Sequence, residues 1–191
     1  MLCAIGVLWA LHCDVPAALQ ALARAPGVPG RLERCDGVSD DVLVLVDYAH
    51  TPDALHRALS SVRDLTRGSV ICVFGCGGDR DPAKRALMGA AVGRGATSAL
   101  VTNDNPRTEQ PEQIARAIEP GLRQYGIPYE VVLDRSLAIQ RAVLQASPGD
   151  VVLIAGKGHE PYQILGTVRR PFDDRVEARR ALACRREGAH P

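Results

Sequence analysis

The run Asp104-Asn105-Pro106-Arg107-Thr108-Glu109-Gln110 follows the apolar stretch Ala99-Leu100-Val101. If that stretch is a strand, it delivers a carboxylate, an amide and a guanidinium to the carboxyl edge of a sheet, with a proline holding the turn open. That edge is where α/β proteins bind ligands. Together the three side chains can accept from an ammonium, donate to a carboxylate and bridge the two, so the matching target is a zwitterion such as an amino acid. The same run also fits an Asx-Pro turn that carries a surface arginine.

Three other apolar runs end in the same way. Residues 42–46 lead into Asp47-Tyr48-Ala49-His50-Thr51-Pro52-Asp53, residues 69–74 into Gly75-Cys76-Gly77-Gly78-Asp79-Arg80-Asp81, and residues 151–155 into Gly156-Lys157-Gly158-His159-Glu160. Taken singly, the glycines fit tight turns, His50 a satisfied cap and Lys157 a solvated side chain. Taken together, the glycines would let backbone approach a ligand closely while acidic and basic groups meet at the strand ends.

Competing motifs fail. A dinucleotide fingerprint needs Gly-x-Gly-x-x-Gly between a first strand and its helix, and here Gly75-Cys76-Gly77-Gly78 runs into Asp79, a poor neighbour for a pyrophosphate. A phosphate-binding P-loop needs Gly-Lys followed by Ser or Thr, whereas Gly156-Lys157 is followed by Gly158. The histidines, His12, His50, His56, His159 and His190, have no spacing that suggests a metal.

The elements that must position these groups alternate regularly. Strands are expected at residues 42–46, 69–74, 98–101, 129–133 and 151–155, and helices at 52–65, 82–94, 111–125 and 135–146. Strands that are apolar throughout, with helices between them, predict a Rossmann-like α/β fold: a mostly parallel sheet covered on both faces. A short hairpin at residues 163–170 and a helix at 174–184 close the domain.

Composition narrows the class further. The 191 residues are 46% hydrophobic and 24% charged, enough to bury a full core in one domain with an appendage. A net charge of +1 and only 4% aromatic residues argue against nucleic acid or an anionic membrane as partner. The six cysteines, Cys3, Cys13, Cys35, Cys72, Cys76 and Cys184, contain no Cys-x-x-Cys pair and read as reduced cytoplasmic thiols, not a disulfide frame or zinc site.

Residues 1–13 are apolar but lack the basic flank and cleavage site of a secretion signal, and they are too short to span a bilayer. They are expected to form a buried helix, with Asp14 capping and Pro16 opening a second helix to residue 24, before Ala25-Pro26-Gly27-Val28-Pro29-Gly30 breaks the chain. A helix pair cannot bury its apolar faces alone, so residues 1–35 read as the tail of something larger.

The four strand-end motifs resemble the carboxy-terminal domain of the Mur ligases, in its diaminopimelate-adding form, over residues 31–180. Residues 1–30 are similar to the closing helix and Gly-Val-Pro-Gly-Arg linker of that family's central domain. The resemblance implies residues 1–35 as the tail of a central ATPase domain with its linker, and 36–191 as the carboxy-terminal domain. It implies an ATP- and Mg2+-dependent ligase of peptidoglycan synthesis, in which a substrate carboxylate becomes an acyl phosphate and is attacked by an amine. The partners would be meso-diaminopimelate, a UDP-N-acetylmuramoyl dipeptide and ATP, with ATP and Mg2+ bound mainly by the central domain. Residue by residue, the family pattern assigns the diaminopimelate to Arg80, Asp104, Asn105, Pro106, Arg107, Gly156 and Glu160. It sets His50 and Asp53 beside the ATP and names no side chain here as a nucleophile or metal ligand. The alternative is a non-catalytic amino-acid or nucleotide-binding module that keeps the fold without turnover.

Overall fold

The computed structural model describes residues 2–24 and 27–188; expectations that involve Met1, Ala25, Pro26 and His190 lie outside the described residues. In chain order the elements are α1 (Leu2–Ala10), α2 (Val15–Arg24), β1 (Glu33–Arg34), β2 (Leu43–Asp47), α3 (Pro52–Arg63), β3 (Val70–Phe74), α4 (Lys84–Gly95) and β4 (Ser98–Val101). They continue with α5 (Pro111–Arg123), β5 (Tyr129–Val131), α6 (Arg135–Gln145), β6 (Val151–Ala155), β7 (Tyr162–Leu165), β8 (Val168–Pro171) and α7 (Asp174–Arg186).

Strands β3 and β6 are apolar at every position and buried along their whole length, as strands covered on both faces must be. Six strands form one sheet in the order β1-β2-β6-β3-β4-β5, parallel except for β1. Alternate side chains divide the core. Leu45, Val70, Cys72, Phe74 and Leu153 face a layer built by Leu55 and Leu59 of α3, Met88 and Val92 of α4, and Ile114 and Ile118 of α5. Val44, Val46, Ile71, Val73, Val152 and Ile154 face α6 and α7 through Ile139, Val143, Ala178 and Leu182.

The chain steps outward from β2 through β3 and β4 to β5, then returns by α6 to insert β6 between β2 and β3. That insertion brings the carboxyl ends of β2, β6, β3 and β4 side by side, the position at which an open parallel sheet offers a crevice. Helix starts are fixed locally: Thr51 caps α3 by accepting from the Ala54 N–H (3.3 Å), Asp134 caps α6 through Leu137 (3.0 Å), and Asp173 caps α7 through Arg175 (2.9 Å). On the outer layer α4 and α5 touch at Gly89 and Gly121. A methyl group on Gly121 would overlap the Ala86 carbonyl oxygen and the Ala90 nitrogen.

The expected burial of residues 1–13 is not observed. In α1 and the turn after it, Val7 is 58%, Trp9 72% and Leu11 67% exposed, because the neighbouring α2 has no buried residue of its own and offers no core to pack against. The predicted Asp14 cap is present, with the Ala17 N–H donating to its carboxylate at 3.2 Å. Strand β1 was not expected: two residues, Glu33 and Arg34, pair antiparallel with Val46 and Leu45 at the sheet edge.

Candidate functional site

At the carboxyl end of β2, Asp47 works for the fold. Its two oxygens accept from the Leu32 and Ala49 N–H groups, each at 2.8 Å, fastening the preceding segment to the loop that follows. Behind it Gly30, at φ +66°, lies so close to Gly158 and His159 that a Cβ would overlap the His159 nitrogen. Arg31 stacks over the Tyr48 ring, 4.9 Å from its centroid.

The centre of the site is a polar cluster between the ends of β4 and β6. Asp104 and Asn105 are buried, at 7% and 5% exposure, and Lys157 is wholly enclosed. The Lys157 ammonium donates to Asn105 Oδ1 at 3.1 Å and lies 3.5 Å from Glu160 Oε2 and 3.8 Å from Asp104 Oδ1. Asn105 Nδ2 donates to Glu160 Oε2 (3.2 Å), and the Tyr48 hydroxyl donates to Glu160 Oε1 (3.5 Å). Burial raises the Asp104 carboxyl above its ordinary range, opposed by Arg135 and Lys157; burial likewise lowers Lys157, opposed by Asp104 and Glu160.

Arg107 sits at φ +53°, a conformation an arginine adopts only when its surroundings impose it. The restraint comes from the β7–β8 hairpin: the Arg107 N–H donates to the Ile164 carbonyl (3.2 Å), and the Gly166 N–H donates to the Arg107 carbonyl (2.8 Å). Two further bonds, Ile164 N–H to Asn105 Oδ1 and Gln163 Nε2 to the Asp104 carbonyl, each 2.9 Å, clamp the hairpin over the same loop. Arg107 Nη1 is committed to the carbonyls of Gly78 (2.7 Å) and Asn105 (3.4 Å), while its Nε and Nη2 make no hydrogen bond among the described residues. That free edge can still take a carboxylate in two parallel bonds.

The loop after β3 is tied to the loop after β4. Arg85 Nη2 donates to both Glu109 oxygens at 2.8 Å, Glu109 Oε1 accepts from the Asp79 N–H (2.6 Å), and Asp79 Oδ1 accepts from the Thr108 hydroxyl (2.8 Å). The glycines between these loops also let the loops approach each other, while Gly75 and Gly77 line the cleft described below. A Cβ on Gly75 would overlap the Thr102 carbonyl, and one on Gly78 the Pro106 carbonyl, so both positions need the missing side chain for loop-on-loop packing.

These loops enclose a cleft of about 350 Å³ lined by His50, Arg80, Asp104, Asn105, Arg107, Gly156 and Glu160, all expected from the sequence. Two expected residues stand apart. Pro106 is buried and shapes the turn, its carbonyl accepting from the Glu109 N–H at 3.2 Å. Asp53 is exposed, pairs with Arg57 at 2.9 Å and borders a separate shallow depression with His56 and Arg94. His50 Nδ1 donates to the Tyr48 carbonyl (2.8 Å), which leaves Nε2 for another partner.

Sequence reasoning missed the cleft residues Tyr48, Cys76, Lys84 and Tyr162, and it allowed a solvated Lys157 where the structure has a buried one. Tyr48 lay within a motif already singled out; nothing in the sequence marks Tyr162, because its position depends on where the hairpin folds back. The Cys76 thiol is pushed up to about 12 by burial, which removes it as a nucleophile near neutral pH. A larger cleft of about 550 Å³, lined by Asp40, Asp41, Ser147, Arg185 and Arg186, lies at the opposite, amino edge of the sheet. Its arginines are already paired, Arg185 with Asp41 (2.7 Å) and Arg186 with Asp40 (2.7 Å), so it offers little charge to a ligand.

The mostly parallel sheet thus has a switch-point crevice that presents carboxylates, an amide and guanidinium groups side by side. The family whose description is Mur ligase, glutamate ligase domain, matches residues 30–158, and the chain belongs to it. It is 51% identical over 186 residues to the UDP-N-acetylmuramoyl-L-alanyl-D-glutamate–2,6-diaminopimelate ligase of Gloeobacter violaceus, covering 97% of this chain and 38% of that protein. It is 50% identical over 192 residues to the ligase of the same name from Prochlorococcus marinus, covering 98% and 38%. The chain thus spans well under half the length of these relatives. A solved structure of a diaminopimelate ligase of this name superposes with a TM-score of 0.78 at 42% identity, over 96% of this chain and 37% of that one. The UDP-N-acetylmuramate-alanine ligase of Thermotoga maritima, at 19% identity and a TM-score of 0.66, shares the fold.

Proposed function

We propose that this chain provides the amine side of an ATP-dependent amide ligase: it binds meso-diaminopimelate and presents one amino group to the activated carboxyl group of UDP-N-acetylmuramoyl-L-alanyl-D-glutamate, a cytoplasmic step of peptidoglycan synthesis. The observation that carries this reading is the cleft at the strand ends, where Asp104 and Glu160 supply carboxylates and Arg80 and Arg107 supply guanidinium groups around one small volume. Diaminopimelate carries two ammonium and two carboxylate groups, and this set can pair with both kinds. The names of the relatives support the choice of ligand.

The chemistry required of this chain is positioning. Carboxylates hold an ammonium, Arg107 fixes a carboxylate through its Nε and Nη2 edge, and the attacking nitrogen is thereby oriented; no side chain need form a covalent bond. The resemblance also brings ATP and Mg2+. The residues here do not form a triphosphate site by themselves: the α3 amino terminus is capped by Thr51, and the Gly-Lys pair is followed by glycine. His50 and Asp53 are read as residues that border ATP held mainly elsewhere. Residues 1–35 are read as the tail of a neighbouring domain and its linker, and 36–191 as the carboxy-terminal domain; the exposed apolar side chains of α1 support that division.

Titration calorimetry of the chain with meso-diaminopimelate and with L-lysine tests the reading. Saturable binding of diaminopimelate, tighter than lysine, is expected. Equal binding of the two, or binding of neither, would remove diaminopimelate as the ligand of this cleft.

A further inference from the structure

Lys157 is the one lysine whose side chain has no contact with solvent, although it stands in a loop at a ligand-facing edge. The backbone turns it inward. Gly156 has φ +117° and Gly158 φ +54°, and a Cβ on Gly156 would come within 2.9 Å of Asp104 Oδ2. A Cβ on Gly158 would come within 2.7 Å of the Tyr48 Cβ. Flanked in this way, Lys157 runs beneath the cleft, and its ammonium donates to two acceptors, Asn105 Oδ1 and Glu160 Oε2, with a third, Asp104 Oδ1, in ion-pair contact at 3.8 Å. All three acceptors belong to residues read above as ligand-binding.

Resting on the diaminopimelate reading, we propose that Lys157 is a positioning residue: it acts as an internal counter-ion that holds Asn105 and Glu160 in place and keeps Asp104 and Glu160 together as a receptor for one ligand ammonium. The charges support this. Arg135, the other buried cation nearby, is committed to Asp174 through two bonds of 2.7 Å, and two more of its N–H groups donate to the carbonyls of Ala155 and Asn103. Among the described residues Lys157 is thus the cation in a close ion pair with Asp104 and with Glu160, while Arg135, which also opposes the rise of Asp104, has its own charge matched by Asp174; two carboxylates against one ammonium leave one negative charge unmatched. An arriving ammonium fills that vacancy. Without Lys157, two carboxylates would share a poorly solvated site, and one would protonate.

The groups facing this cluster are Asp104, Glu160, Arg135 and Asp174, with the Tyr162 ring 5.4 Å from the ammonium. Burial already raises the Asp104 carboxyl, and Arg135 and then Lys157 oppose that rise. Removing the cation therefore moves Asp104 further up, so that it loses its charge at a pH where the native protein keeps it.

The test uses the full chain and the isosteric, uncharged Lys157→Met, with Lys157→Met/Asp104→Asn as the compensated form. Carbon-13 carboxyl NMR follows the Asp104 titration, and calorimetry follows meso-diaminopimelate binding from acid to neutral pH. In Lys157→Met the Asp104 midpoint is expected to rise. Diaminopimelate affinity should then fall about tenfold for each pH unit below the new midpoint, whereas the native chain stays flat across that window. The double variant should lose this pH dependence and bind weakly throughout. An unchanged Asp104 midpoint in folded Lys157→Met overturns the proposal. If Lys157→Met does not fold, recovery of folding in the double variant supports it, and failure of both overturns it. A native chain that binds no diaminopimelate while Asp104 still shifts would refute the ligand and leave the role of Lys157 standing.

Discussion

Arg107 combines a strained backbone, a guanidinium half engaged by carbonyls and a free edge toward the cleft. An amine substrate that lacks a second carboxylate would leave that edge unpaired. A lost charge-assisted bond costs about 1.5–3 kcal/mol, or on the order of 10- to 150-fold in affinity. Arg107→Ala should therefore weaken meso-diaminopimelate by about that factor while leaving lysine nearly unchanged, so that the preference between them narrows. Arg107→Lys keeps a cation but loses the planar fork and should fall between the two. Calorimetric titration of both ligands against each variant measures this, and an unaltered preference in Arg107→Ala would show that Arg107 does not read the second carboxylate. The polar types at the strand ends could be read from the sequence because they interrupt apolar runs. The inward turn of Lys157 could not, since it depends on two glycine conformations and on partners some fifty residues away, such as Asn105.

At the scale of elements, β3, β4 and β6 were expected nearly to the residue, because burial on both faces leaves an unbroken apolar signature. Strand β1 left no such trace: it is two polar residues held by edge pairing. The order of the sheet was equally hidden, since β6 is inserted between β2 and β3 by a long-range choice that no local pattern encodes. The hairpin was expected, but its clamp on the Asp104–Arg107 loop was not. Helices α1 and α2 are the opposite case, with a strong apolar signal and little burial. Helices of 9 and 10 residues without a packed face are marginal in water. Their amides should exchange with solvent far faster than those of β2 and β6, by several orders of magnitude if the strands open only on global unfolding. Hydrogen exchange by mass spectrometry, on a sample shown to be monomeric, checks this; equal protection of α1 and β6 would mean that α1 is packed in a way its exposure does not indicate.

For the molecule as a whole, the cleft gathers groups suited to holding an amine and a carboxylate, while these residues contain no Gly-Lys-Ser/Thr loop of the kind that holds ATP phosphates for activating an acid. The lone Gly-Lys pair leads into Gly158, its lysine is buried under the cleft, and the α3 amino terminus is occupied by its own Thr51 cap. The matched relatives are much longer than this chain, which covers 38% of the Gloeobacter violaceus ligase. A domain that only orients the nucleophile can contribute a large effective concentration, but it has no reaction to accelerate until an activated partner is brought to it. The 191-residue polypeptide, supplied with ATP, Mg2+, UDP-N-acetylmuramoyl-L-alanyl-D-glutamate and meso-diaminopimelate, is therefore expected to release no phosphate and form no amide above background. Adding the amino-terminal portion of a relative in trans should bring measurable, diaminopimelate-dependent phosphate release, and Arg107→Ala should reduce it. Amide formation by the polypeptide alone would mean that its own residues activate the carboxyl group, and the division of labour argued from the cleft would be wrong.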